Sequence, residues 1–319
     1  MRVSIEQVQE VIEQALGQTP LTLEDRRIVA HALLDAECSG RKGHGLNRLR
    51  AIIDWAPSGG SEHIAVTRDQ GSTIALDGGG ALGILVAHRA ASLACERLAR
   101  QPIVAIGCKN CRHTNAIGYF AELVAKAGGV ALAATHCTPL LAPHDGHAAV
   151  FGTNPIALAC PGPDGPLVAD ASPARVTYGH LINAKLNGAA IESGAAIGPD
   201  GQPTTDPAEA LRGAMLPIAG HKGTALAFLV QVLAGTLAGA AAVPGELDEF
   251  GFFLAAFRTD AFGDADQFTR GMGDLVRCVH DAGGHCPGEG SARRRADATA
   301  HGVEVDSGVW TAVQSLVAK

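Results

Sequence analysis

A glycine run, Gly78-Gly79-Gly80-Ala81-Leu82-Gly83, decides which α/β folds are open to this chain. It stands between a strand-like stretch at 73–76 and a helical pattern at 81–99. That is the setting of a Rossmann turn, where glycines let backbone amides approach a dinucleotide's diphosphate. The fingerprint has a second requirement: an acid about 20 residues on, closing the next strand, to hold the ribose. The next strand-like run, 102–107, ends in Ala105-Ile106-Gly107-Cys108-Lys109 and offers none. Glu96 falls too early, inside the helical pattern. In a chain with 40 glycines such a match arises cheaply. The run therefore reads as a tight strand-to-helix turn, and any nucleotide site belongs elsewhere.

The bulk properties narrow the partners. With 319 residues the chain can bury one large core or two intimate ones. A net charge of −7 without clustered lysines disfavours nucleic acid and anionic membranes. Arg293-Arg294-Arg295 is the one tight basic run and reads as a solvated helix face. No export signal or 18-residue apolar stretch is visible, so a cytoplasmic protein is expected. The eight cysteines then default to free thiols. Two groupings have ligand-like spacing: Cys108 and Cys111 near His113, and Cys278, His280, His285 and Cys286. Neither completes a four-ligand zinc pattern, so no metal is expected.

Patterning predicts helices over 1–17 and 21–39, a helical stretch at 49–55, and a break at Pro57-Ser58-Gly59-Gly60. Further helices are expected at 118–127, 264–282 and 309–317, with strands at 129–134 and 250–258. A long buried helix is expected at 224–237. The Pro-, Gly- and Asp-rich region 138–217 reads as irregular β structure and loops around a site.

Gly43-His44-Gly45-Leu46-Asn47-Arg48 is the strongest chemical signal. If the segment is helical, His44 and Arg48 share one face at i and i+4. Arg48 would grip a small carboxylate while His44 moves a proton. From spacing alone, a helix-ending glycine beside a surface histidine competes with this reading.

Taken together, several segments resemble the type-2 malate/L-lactate dehydrogenase family. That group also holds sulfolactate and ureidoglycolate dehydrogenases, diketogulonate reductase and piperideine/pyrroline-2-carboxylate reductases. The His44 segment is similar to the family's Ser-His-Gly-x-x-Arg, and His113 to Tyr119 to its His-Phe-Gly-x-x-Gly-Tyr. Ala142-Pro143-His144, Gly152-Thr153-Asn154-Pro155-Ile156-Ala157, Asp170-Ala171-Ser172, Gly220-His221-Lys222-Gly223 and Pro287-Gly288-Glu289 follow in order. The resemblance implies an α/β type-2 malate/lactate dehydrogenase-like fold, with a mixed sheet, a helical N-terminal segment and a non-Rossmann nicotinamide site. It implies a division into 1–120, carrying the catalytic histidine, 121–290, binding the cofactor, and 291–319, a tail returning to the first part.

By the same resemblance, NADH or NADPH is held by Asp170, Ala171, Ser172, Pro173, Ala174, His221, Lys222, Gly223, Thr224, Gly288 and Glu289. His44 is the proton donor and Arg48 the carboxylate clamp; Gly43, His113, His144, Thr153 and His180 border the substrate. The implied reaction interconverts a 2-oxo acid and its 2-hydroxy acid in a homodimer. A cyclic 2-imino acid reductase is the alternative, and an inactive binding partner a third. Gly43 stands where the family's serine is usual, Gly198 where aspartate is, and Gln231 where glutamate is frequent. His180 replaces an aspartate of the imine branch, and the segment 240–250 is short.

Overall fold

The structure, a computed structural model, describes residues 1–317. In chain order, strand β1 (Arg2–Val3) leads into helices α1 (Ile5–Gly17), α2 (Leu23–Cys38) and α3 (Leu49–Trp55). Strands β2 (Ala65–Asp69) and β3 (Thr73–Asp77) precede α4 (Gly83–Leu98), and β4 (Ile103–Cys111) precedes α5 (Ile117–Lys126). Then come β5 (Gly129–Thr135), β6 (Ile156–Cys160), β7 (Leu167–Ala171) and α6 (Tyr178–Leu186). The short elements β8 (Ala196–Ile197), β9 (Pro203–Thr204), α7 (Pro207–Ala210) and β10 (Ala214–Met215) lead to α8 (His221–Val230). A π-helical segment, Gln231–Leu237, continues α8. The chain closes with β11 (Phe250–Arg258), α9 (Ala265–Asp281), α10 (Glu289–His301), β12 (Val303–Glu304) and α11 (Ser307–Val317).

Local chemistry explains the helical N-terminus. Ser4 caps α1 in a reciprocal box with Gln7, and Val8, Ile12 and Leu16 repeat every four residues on its buried face. Thr22 caps α2, with Glu24 and Asp25 in the first turn against the helix dipole. The main sheet runs β2-β3-β4-β11-β5-β6-β7. Only β3 and β4 pair in parallel, joined through α4; the other five pairings are antiparallel. The mixed sheet is therefore of the expected kind and is not the largely parallel Rossmann sheet.

The glycine run forms the turn between β3 and α4. Its amides are already spent: Gly78 donates to Lys109 O at 2.8 Å and Gly80 to Asn110 O at 2.7 Å. Gly79 donates to Asp77 Oδ1 at 3.0 Å. At Gly83 a Cβ would lie 2.1 Å from Arg112 O, so glycine is needed for α4 to start against the end of β4.

Several expectations need correction. Region 138–217 has a core of its own, in which Leu141, Phe151, Leu181, Ile191 and Met215 pack beside the sheet β10-β8-β9. The helix expected to be buried at 224–237 begins at His221 and is largely open. Only Gly223, Ala227 and Val230 of α8 face inward, whereas Phe228 is 60% and Leu237 65% exposed. Arg295 is not a solvated cation: it pairs with Asp35 at 2.9 Å and Glu122 at 2.8 Å, tying α10 to α2 and α5. Edge strand β2 escaped notice because all five of its residues are exposed. The strand expected at 102–107 extends to Cys111.

The tail folds back on the start of the chain. Strand β12 pairs with β1, and Gln18 Nε2 donates to Leu316 O at 3.0 Å. All eight cysteines are unpaired. Among the described residues no helix is long and apolar enough to cross a membrane.

Candidate active site

The His44 segment is not a continuous helix. Lys42–His44 and Leu46–Arg48 are two 3-10 turns, separated by Gly45 at φ −98°, ψ −130°. Buried Glu37 pins the junction by accepting the Leu46 amide at 2.9 Å. A Cβ on Gly45 would lie 2.0 Å from the same carboxylate oxygen. Arg48 Nε reaches back to Gly43 O at 3.1 Å. Imidazole and guanidinium thus share one space through a tight turn, with no i, i+4 helical face.

Asn115 fixes the protonation pattern. Its Nδ2 donates to His44 O at 2.6 Å, so its Oδ1 faces His44 Nδ1 at 3.0 Å. That oxygen can only accept, so neutral His44 carries its proton on Nδ1 and leaves Nε2 to exchange one. The Asn115 amide donates to His113 Nδ1 at 3.0 Å, which puts the His113 proton on Nε2. The two rings stack with centroids 5.9 Å apart. Burial, then the Arg48 charge, lowers the His44 pKa to about 4, against the raising effect of the Asn115 bond. Burial first and Arg48 second also hold His113 well below the ordinary imidazole range.

Arg48 is the unbalanced charge here. Its terminal nitrogens meet no acceptor among the described residues; the one polar contact is Nη2 to His113 Nε2 at 3.5 Å. Two donors therefore converge without an anion between them, an arrangement that favours a carboxylate. Cys137 and Tyr178 lie close enough to act on the Arg48 charge. Thr153 Oγ1 is 3.9 Å from Cys137 Sγ. The start of α6 covers Gly43, since a Cβ on Gly179 would be 3.7 Å from Gly43 Cα. His180 follows on that helix and is exposed. Asp170 reaches toward this cluster by pairing with Arg41 at 2.9 Å and accepting the Gly118 amide at 3.1 Å.

A second cluster forms where α8 begins. His144 N donates to Thr224 Oγ1 at 2.7 Å, and the His144 and His221 rings lie 6.2 Å apart. Gly220, at φ +59°, makes the turn into the helix. Lys222 is exposed beside it. The amides of Lys222, Gly223 and Thr224 are already bonded to Ala219, Ile218 and Gly220 carbonyls. Side chains, not those amides, are free to meet a ligand there. The loop between the clusters is rigid: Ser172 Oγ donates to Thr153 O at 2.7 Å and accepts the Ala174 amide at 3.1 Å. Pro173 O accepts the Ile218 amide at 2.8 Å, and Ala171 closes β7.

Gly288 and Glu289 are held differently. The Val168 amide of β7 donates to Pro287 O at 3.3 Å, and a Cβ on Gly288 would lie 2.9 Å from Val168 N. Glu289 is engaged by His280 at 2.6 Å, not by either cluster. Glu37 and Asn115 were missed from sequence. Asn115 had one usable signal: it stands where the resembling His-Phe-Gly pattern has glycine, and its φ is +68°.

Comparison with known proteins agrees with this architecture. A family model described as malate/L-lactate dehydrogenase matches residues 3–314. The chain is 30% identical to an L-sulfolactate dehydrogenase of Methanothermobacter thermautotrophicus, over 96% of this chain and 93% of the relative. It is 33% identical to a (2R)-3-sulfolactate dehydrogenase (NADP(+)) of Chromohalobacter salexigens, over 80% of this chain and 75% of that one. The solved sulfolactate dehydrogenase of Methanocaldococcus jannaschii superposes with a TM-score of 0.87 at 27% identity, covering 99% of this chain and 96% of that one.

Proposed function

Because this chain belongs to the malate/L-lactate dehydrogenase family, we propose that it interconverts a small 2-oxo acid and its 2-hydroxy acid, as a homodimer. A nicotinamide cofactor, NADH or NADPH, supplies or accepts the hydride when bound. Exposed Lys222 and His221 beside the positive-φ turn at Gly220 suit its diphosphate, whereas the amides of Gly78, Gly79 and Gly80 in the glycine turn are already bonded within the chain. His144, Thr224 and the loop Asp170 to Ala174 frame the same cofactor region, and we assign Gly288 and Glu289 to its far edge.

One observation carries the reading: His44 keeps Nε2 free while Nδ1 is held, beside a guanidinium that lacks an anion. Arg48 orients the substrate carboxylate, with the His113 Nε2–H as a second donor. His44 Nε2 delivers a proton to the developing alkoxide in reduction and removes it in oxidation. Gly43, Thr153 and His180 border the substrate, and the open space beside Gly43 bears on its shape. The three-part division at 120 and 290 remains our proposal for how these regions cooperate.

The test is a panel of 2-oxo acids, sulfopyruvate among them, and piperideine-2-carboxylate, run with each cofactor. The expected result is turnover of an oxo acid that His44→Ala lowers by roughly 10²–10⁴-fold. Cofactor affinity, read by fluorescence titration, should stay unchanged. Unaltered turnover in His44→Ala removes the proposed acid. Turnover confined to the cyclic imine favours the alternative reductase, and failure to bind either cofactor favours an inactive partner.

A further inference from the structure

We propose that His280, His285, Cys286 and Glu289 form a site for one divalent transition ion of the zinc type, at the joint between α9 and α10. His280 lies in the last turn of α9, and Glu289 is the first residue of α10. Two left-handed glycines, Gly283 at φ +76° and Gly288 at φ +94°, turn the chain so that both ends face each other. The donor atoms of His280, Cys286 and Glu289 all lie within 4.8 Å of one another. His280 Nε2 is 2.6 Å from one Glu289 oxygen, and His285 Nδ1 is 3.7 Å from the other.

Of the sequence grouping Cys278, His280, His285 and Cys286, three residues remain, and Glu289 takes the place of the exposed Cys278. Two nitrogens, a thiol sulfur and a carboxylate oxygen are donors that borderline ions accept together. Zinc bonds of about 2.0–2.3 Å place tetrahedral ligands about 3.3–3.8 Å apart. His280, Cys286 and Glu289 start within 4.8 Å of one another, so loading requires the thiol to move inward, the His285 ring to turn toward the same point, and the short His280–Glu289 contact to widen as the ion replaces the proton between them. Loading releases the Cys286 thiol proton to solvent, and the proton between His280 Nε2 and Glu289 passes to His280 Nδ1, or to solvent where the imidazole is charged. No electron transfer is involved.

The surroundings fit a binding site better than an ordinary surface ion pair. One carboxylate is met by two imidazoles, more partners than a single pair requires. Cys286 is buried while the His280 imidazole is half-exposed and that of His285 largely exposed, so the sulfur is sheltered and an ion can still enter. The base is firm, because the Pro287-Gly288 turn is clamped on β7 through Val168. Helix α9 needs such an anchor: of its 17 residues only Val276 is buried.

The test uses the full-length reduced protein, stripped with chelator and free of cofactor, so its outcome is independent of catalysis and of the cofactor role proposed for Glu289. Zn²⁺ is titrated against a chromophoric competitor, and Co²⁺ is followed for thiolate-to-cobalt charge transfer. One tight equivalent is expected, with affinity falling roughly 100-fold in His280→Ala and in Cys286→Ser. The cobalt band should vanish in Cys286→Ser and persist in Cys278→Ser, which alters the neighbouring exposed thiol. His280 is half-exposed, so its variant keeps the question decidable if Cys286→Ser fails to fold. No stoichiometric binding by the wild-type protein, or binding that depends on Cys278 alone, overturns the proposal.

Discussion

Asn115 holds the chemistry of two histidines at once, and it does so from a backbone conformation that few side chains tolerate. Replacement by glycine keeps that backbone and deletes only the amide. Asn115→Gly is expected to lower kcat roughly tenfold or more with little change in KM, because His44 loses its fixed tautomer. Gly43 has open space for a Cβ, so Gly43→Ser in the same background should restore part of the loss. Stopped-flow turnover of the two variants decides it; equal rates in wild type and Asn115→Gly would remove Asn115 from the mechanism. The pH profile tests the same group. With the His44 pKa lowered to about 4 by burial and then by Arg48, the free enzyme holds a neutral imidazole at pH 7. In the proposed mechanism it is then a base, ready for oxidation. Reduction needs the imidazolium, whose population falls about tenfold per pH unit above the folded pKa. So kcat/KM for reduction should decline across roughly pH 5 to 8 while that for oxidation stays level. A reductive kcat/KM that rises with pH contradicts the assignment. That His44 and Arg48 share one space was legible from the resemblance to Ser-His-Gly-x-x-Arg and not from helical spacing, which two 3-10 turns replace. Asn115 was not legible, since an asparagine in a loop ordinarily signals only a turn.

At the scale of elements, glycines decide what can sit where. Gly45→Ala forces a methyl into the Glu37 carboxylate, so the turn must move or Glu37 must leave its bond to Leu46. A loss of about 1–3 kcal/mol is expected from urea unfolding, together with a loss of turnover, because the same turn carries His44. Unchanged stability and turnover would show that the turn is softer than it looks. The turn at 78–83 was legible because a missing acid is a negative that sequence can show. The openness of α8 was not. Its inward positions are Gly223, Ala227 and Val230, two of them small, so hydrophobicity counts pointed at Phe228 and Leu229, which face out. The small core around Leu141 was hidden for another reason: strands of two residues are too short to display alternation.

At the scale of the molecule, one parallel strand pair amid antiparallel neighbours separates this fold from the dinucleotide folds that its glycine run imitates. Phe228, Leu229, Val232 and Leu237 leave an apolar stripe exposed along α8 and the segment that continues it, and such stripes mark interaction surfaces. A second copy is the occupant that the homodimer proposal requires. Sedimentation should give a dimer, and Phe228→Asp should shift it toward monomer; a wild-type monomer would contradict the assembly. The stripe continues into the π-helical segment Gln231–Leu237, and that widened coil has an implication for what lengths of chain are viable. Gln231 points inward, accepting from Asn154 at 2.6 Å and donating to Ala242 O. Each residue in a helix accounts for about 100° of rotation. In α8 the loss of one residue would turn all that follow by that angle. The widened coil already holds about one residue more per turn, so losing a single codon between 232 and 237 would let it relax to ordinary α pitch while the chain on either side keeps its register. A one-residue deletion is therefore viable here and nowhere else along the helix.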